Sequence, residues 1–224
     1  VTVEELAERL NLEIINKGAP VFSSDLSDFG RFFSMFTKIL SSFSSALFTK
    51  TFMGLSGGKK VAYLAVFTAI AVAVNAISID ITPVFKLTFT YIVGFLSGCL
   101  FGPIGGFAVM FIGDAIGGFI AGFVPNPIIG VGTGLIGLIP GVIVPYIRCN
   151  FVARLILSFV LCALICTLGV NAYGTFLFVA SKYTSYWVYL VTRLPQLAVV
   201  LVNAFLSYFA VKLLNRSGIR FKIS

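Results

Sequence analysis

Past Lys60 the chain passes through six stretches, at 61–78, 87–101, 104–123, 128–146, 152–170 and 188–214, in which apolar residues run almost without interruption. A run of about 20 apolar residues is what a helix needs to cross the roughly 30 Å of a bilayer's hydrocarbon. In that medium the backbone must satisfy its own hydrogen bonds, which a helix does. The chain therefore reads as an all-α integral membrane protein, a bundle of six transmembrane helices, a few of them short enough to need neighbours or local thinning of the bilayer. Composition leaves little room for a soluble alternative, since 58% of the residues are hydrophobic and only 11% are charged. The run 171–187 is mixed: NAYGTFLFVA reads as an extension of the fifth span and SKYTSYW as a loop. No cleavable signal is read in the first 60 residues, which are too charged for one.

The formal net charge is +8, which in a soluble protein would suggest a nucleic-acid partner. Its distribution points to a membrane instead. Lys59 and Lys60 precede the first span, Arg148 and Arg154 flank the turn between the fourth and fifth, and Lys212, Arg216, Arg220 and Lys222 close the chain. With six alternating spans these clusters share one side, which the positive-inside rule makes cytoplasmic. Both termini are then cytoplasmic, in a multi-pass protein of the plasma membrane with no nucleic-acid partner. Lys86, Lys182 and Arg193 fall on the other side, against that bias, and need another reason to be there.

Residues 1–58 are a different kind of sequence from the membrane domain at 59–224. They open on a Thr2–Glu5 capping box and read as a short soluble helix. In the following DLSDFGRFFSMFTKILSSFSSALF, Phe29, Phe32, Phe33, Phe36, Leu40, Phe43 and Leu47 recur at helical spacing. That pattern, with Arg31, Lys38 and serines elsewhere, is an interfacial amphipathic helix rather than a seventh span.

Several motifs carry little chemistry. Gly132, Gly134 and Gly137 match G-x-G-x-x-G, but inside an apolar span with no preceding strand they read as helix-packing glycines rather than a dinucleotide loop. Cys162 and Cys166 stand four apart in a chain without histidine, so no metal site is expected.

Other residues are out of place in lipid. Asp114 falls near the middle of the third span, where a lone charge is costly, and reads either as a ligand or gating residue or as a structural pair. Arg193, Gln196, Asn203 and Ser207 form a polar stripe on the sixth span that faces the bundle. Near Arg193 lie Tyr183, Tyr186, Trp187 and Tyr189. One reading is an interfacial aromatic belt with a snorkelling arginine. The other is a cation that holds a ligand carboxylate while rings stack on a flat heterocycle. In the second, the proline-broken loops FVPNPIIG, with Asn126, and ISIDITPVFKL, with Lys86 beside it, close over the ligand.

The first span sets Ala65, Ala69 and Ala73 on one narrow stripe, and KLTFTYIVGFLSG, FGPIGGFAVMFIGDAIGG and YLVTRLPQ follow. With these features the chain over roughly 55–215 resembles the S components of the energy-coupling factor (ECF) transporters, most closely those of the folate family. The resemblance implies a substrate-binding subunit, not an enzyme. It implies capture of a vitamin from outside and docking, through Ala65, Ala69 and Ala73, on a transmembrane coupling subunit carried by a pair of ATP-binding-cassette ATPases. Folate is the implied ligand, with riboflavin, another vitamin or a precursor as alternatives. The chain holds no cofactor under this reading, and it contains no G-x-x-x-x-G-K-[ST], so ATP is used by the partners. Two other classes stay open. A stand-alone secondary transporter or channel would work with very few intramembrane ionisable groups, and a lipid-metabolism enzyme would have only Asp80 and Asp114 as carboxylates after residue 28.

Overall fold

A computed structural model describes residues 47–77, 79–82, 85–122, 124–178 and 185–216. The chain divides into two compact units, Val1–Ala46 and Leu47–Ser224. The capped helix and most of the amphipathic stretch read at the amino terminus lie outside the described residues.

The second unit begins with a short helix, α1 (Lys50–Met53), capped by the Thr49 side chain, which accepts from Phe52 N–H at 3.3 Å. Next come α2 (Gly57–Ala76), the strands β1 (Ile79–Thr82) and β2 (Phe85–Leu87), α3 (Thr90–Phe101), α4 (Pro103–Ile120) and α5 (Pro127–Tyr146). A long helix, α6 (Phe151–Phe178), is followed by α7 (Tyr186–Arg193) and α8 (Gln196–Arg216). Five of these, α2, α4, α5, α6 and α8, are long and apolar enough to cross a membrane. The twelve residues of α3 span only about 18 Å at 1.5 Å per residue. This is an integral membrane helical bundle with one short hairpin.

Pairings across the bundle give the directions of its helices. Ala71 and Asn75 of α2 meet Gly113 and Gly117 of α4 in parallel order, while Pro103 and Gly106 of α4 meet Gly141 and Gly137 of α5 in antiparallel order. Chain direction alternates, so the α2/α3 hairpin, the α4/α5 turn and the α6/α7 junction share one end, called here the hairpin end.

Lipid offers helices no hydrophobic reward for meeting, so their association depends on close packing and interhelical hydrogen bonds. The glycines supply the packing. A Cβ on Gly137 would stand 2.2 Å from the Gly106 carbonyl oxygen, and one on Gly98 would stand 2.4 Å from the Gly137 carbonyl oxygen. At the opposite end Gly102, at φ 90°, turns α3 into α4 in the left-handed region that glycine tolerates. Phe48 and Thr49 pack against it. The Thr49 N–H donates to the Phe101 carbonyl at 3.2 Å and its hydroxyl to the Leu100 carbonyl, so the segment before α2 caps the end of α3.

Two features depart from the sequence reading, and the fifth span extends as read but through an unexpected π-helical middle. ISIDITPVFKL, expected to be an irregular loop, contains an antiparallel hairpin in which Ile79 pairs with Leu87, Asp80 with Lys86 and Thr82 with Phe85, with an irregularity between Asp80 and Thr82. Its β-branched residues satisfy their backbone across the pair. The fifth span runs on to Phe178, through a π-helical middle at Cys162–Asn171, in which the Thr167 hydroxyl reaches back five residues to the Cys162 carbonyl at 3.4 Å. The sixth span is broken after Arg193 at Leu194 and Pro195, where proline has no N–H to continue the ladder. Tyr186 and Trp187, read as loop residues, therefore belong to a separate helix, α7.

Candidate functional site

Polar side chains gather toward the hairpin end of a bundle whose outer faces are apolar. On α8, Gln196 and Asn203 are buried, one helical face apart from lipid-facing Leu201, Val202 and Phe205. Asn203 has no exposed surface, and its amide donates to the Val199 carbonyl on its own helix at 2.8 Å and to the Thr88 carbonyl at 2.9 Å. Thr88 lies just after β2, so the last span holds the exit of the hairpin. The Thr88 and Thr90 hydroxyls share a hydrogen bond, and Thr90 donates to Asn75 Oδ1 of α2 at 2.9 Å. Asn75 Nδ2, Asn203 Oδ1 and Ser207 Oγ are buried without a hydrogen-bond partner among the described residues. Buried amides normally have their atoms met, so these are places where polar ligand groups would be rewarded.

Asp114 sits on the α4 face against α5. The single proton of the Thr133 hydroxyl is shared between Asp114 Oδ1 at 3.2 Å and the Ile129 carbonyl at 3.0 Å. On the far side of α5, Asn171 of α6 lies over Gly132 so closely that a Cβ there would stand 1.9 Å from its Oδ1. Between α3 and α6 the Tyr91 and Thr167 hydroxyls share a hydrogen bond. Charge near the site is sparse. A buried cation, Arg154, lies at the opposite end and donates to the Val144 carbonyl at 2.8 Å. There it meets the carbonyls that a helix C-terminus leaves open.

Arg193 ends α7 with its Nε donating to Tyr189 Oη at 2.6 Å and its guanidinium 5.3 Å from the centre of the same ring. Tyr189 is fully buried. Tyr186 packs edge-on to Tyr173 and Phe176, and its hydroxyl donates to the Leu168 carbonyl at 2.7 Å. Arginine and aromatics thus form one assembly, α7 against the end of α6, and not a row of separate anchors.

The other expected site residues fare differently. Trp187 is 73% exposed and touches this assembly only at its edge, with its ring edge-on to Tyr186. Asn126 caps α5, its Oδ1 accepting from Ile128 N–H at 2.9 Å. Tyr183 and the Lys86 side chain lie outside the described residues. Ala65, Ala69 and Ala73 are all exposed on α2, while Ala71 on its other face is buried against Gly113. The sequence reading missed Asn75, Thr88, Thr90, Thr133 and Asn171. Asn75 alone carried a usable signal, as a primary amide inside an apolar span.

Comparison with known proteins bears on this arrangement. No curated protein matches the chain. Among solved structures, the crystal structure of FolT bound with folic acid is similar, with a TM-score of 0.58 and 22% sequence identity, covering 68% of this chain and 94% of that one. At that identity the likeness speaks to the fold. A family model, ECF-type riboflavin transporter, S component, matches residues 57–216, from the first residue of α2 to the last of α8. Over that length the match takes in every membrane helix of the bundle and its polar hairpin end, and the chain belongs to the family of ECF-type riboflavin transporter S components.

Proposed function

We propose that the chain is the substrate-capture subunit of an ATP-driven ECF importer, crossing the membrane six times with both termini in the cytoplasm. In this reading α3 is the sixth span, shortened by the hairpin. A water-soluble vitamin enters at the hairpin end from outside. The loaded subunit then docks by Ala65, Ala69 and Ala73 on a transmembrane coupling subunit whose paired ATPases supply the energy. The observation that carries the reading is the family match across the whole bundle: S components are vitamin-binding transporter subunits and not enzymes. The exposure of all three alanines supports the docking face, because small side chains let a partner helix approach closely.

For the ligand we propose a folate-like vitamin. Arg193, held on Tyr189, suits a terminal carboxylate, and the buried amides suit the ring's donors and acceptors. Asp114, Gln196, Asn203, Lys86, Asn126, Tyr183, Tyr186 and Trp187 complete the proposed set. The family's description favours a second reading, riboflavin, which would meet the same amides with uncharged groups. Thermal unfolding of the purified chain with each vitamin in excess separates the two. A ligand at 100 times its Kd stabilises by about 2.7 kcal/mol, a shift of a few degrees or more. A shift with folate and none with riboflavin is expected. The reverse moves the assignment to riboflavin, and no shift with either removes both of these vitamins from the account.

A further inference from the structure

The hairpin is attached to the bundle by a chain of uncharged hydrogen bonds that touches three helices. Thr90, 6% exposed at the first turn of α3, is its junction. The Thr90 hydroxyl proton goes to Asn75 Oδ1, which can only accept. Thr88 must then supply the proton of the bond that the two threonine hydroxyls share, while Thr88 Oγ1 accepts from the Thr90 N–H at 3.0 Å. The same Thr88 gives its backbone carbonyl to Asn203 of α8. With Thr90 donating to Asn75, both side-chain bonds at the junction depend on the Thr90 hydroxyl, and its removal breaks them together. Asn75 is held in turn by α4, because a Cβ on Gly117 would stand 2.7 Å from Asn75 Cβ. Within three residues of Leu87, the last of β2, the chain is thus tied to α2, α3 and α8 at once.

We propose that Asn75, Thr88, Thr90 and Asn203 form a latch that holds the β1/β2 hairpin down on the bundle, with Thr90 as its central positioning residue, and that the latch sets how long the bound vitamin is retained. The second half rests on the vitamin-capture reading above. Asn203, placed in the ligand set on its position alone, acts here through the hairpin. Its amide donor is already used on two carbonyls, and only its Oδ1 is left for a ligand.

The test uses the full chain in detergent. Amide hydrogen exchange across 79–88 is followed without ligand in the wild type, Thr90→Val and Thr90→Ser. Valine keeps the branched shape and deletes the hydroxyl; serine restores it. Loss of the junction is expected to speed exchange of 79–88 by about tenfold in Thr90→Val, with α4 and α5 unchanged and Thr90→Ser near wild type. Where Thr90→Val does not fold, Asn203→Leu releases the hairpin from the other side and is read the same way. Exchange of 79–88 within twofold of wild type, or an equal rise in α4, overturns the latch. A second readout concerns retention: dissociation of folate, or of riboflavin if that is what binds, should be about tenfold faster in Thr90→Val, with association within twofold. Unchanged dissociation beside faster exchange would overturn the retention role. If no vitamin binds the wild type, the capture reading fails while the exchange result still decides the latch.

Discussion

Arg193 shows how one contact separates two roles. Its Nε bond and its stacking on Tyr189 fix the plane of the guanidinium, which a snorkelling side chain does not require. If it clamps an anionic group, Arg193→Lys should weaken vitamin binding markedly, because an ammonium cannot make the two-pronged contact, and Arg193→Ala should weaken it more. A lost charge-assisted contact is worth about 2–3 kcal/mol, roughly 30- to 200-fold in Kd. Equilibrium binding to the purified variants measures it, and a lysine variant within twofold of wild type takes Arg193 out of the site. Residues of this kind were legible in the sequence because a charged or amide side chain in lipid is conspicuous: Asp114 stood out by the cost of its charge, and Gln196 and Asn203 by forming a polar stripe with Arg193 at helical spacing. Thr88, Thr90 and Thr133 were not, since a threonine in a membrane helix usually returns its hydroxyl to its own backbone. Only tertiary contact shows that Thr90 reaches Asn75 instead.

Among the elements, α2 is the least embedded of the long helices. It touches the bundle through Ala71, Asn75 and the aromatic cluster of Phe52, Phe67 and Phe101, and leaves Val61, Val66 and Ile70 exposed beside the alanines. Ala65→Leu with Ala69→Leu should therefore leave vitamin affinity within about twofold, since those side chains are exposed on α2, away from the face that Ala71 buries against α4. Uptake in cells carrying the energising module should be abolished, because added bulk denies a partner helix its close approach. Normal uptake by the double variant would exclude the stripe as the docking face. The spans themselves were legible because length and apolarity decide what can cross a bilayer. Their breaks were harder to read. Pro195 divides the last apolar run into α7 and α8, and the π-helical stretch of α6, where Thr167 bonds to Tyr91 and Asn171 lies against Gly132, has no counterpart in the apolar periodicity.

At the scale of the whole molecule the account depends on which end faces out. The basic residues at 59, 60, 148, 212 and 216 lie at the end opposite the hairpin, and the proposed orientation, which follows the positive-inside rule, puts that end in the cytoplasm. In a background without native cysteines, Ser181→Cys should react with an impermeant thiol reagent on intact cells, and Ser217→Cys only after permeabilisation. The opposite pattern would put the vitamin site on the wrong side for import. The central claim, that the chain captures a vitamin but cannot move it alone, is tested most directly by uptake of labelled vitamin into cells that have no other route for it. Cells expressing the chain by itself should bind the label at the surface and accumulate none, and adding a coupling subunit with its ATPases should start ATP-dependent accumulation. Steady accumulation by the chain alone would make it a self-sufficient transporter and contradict the account.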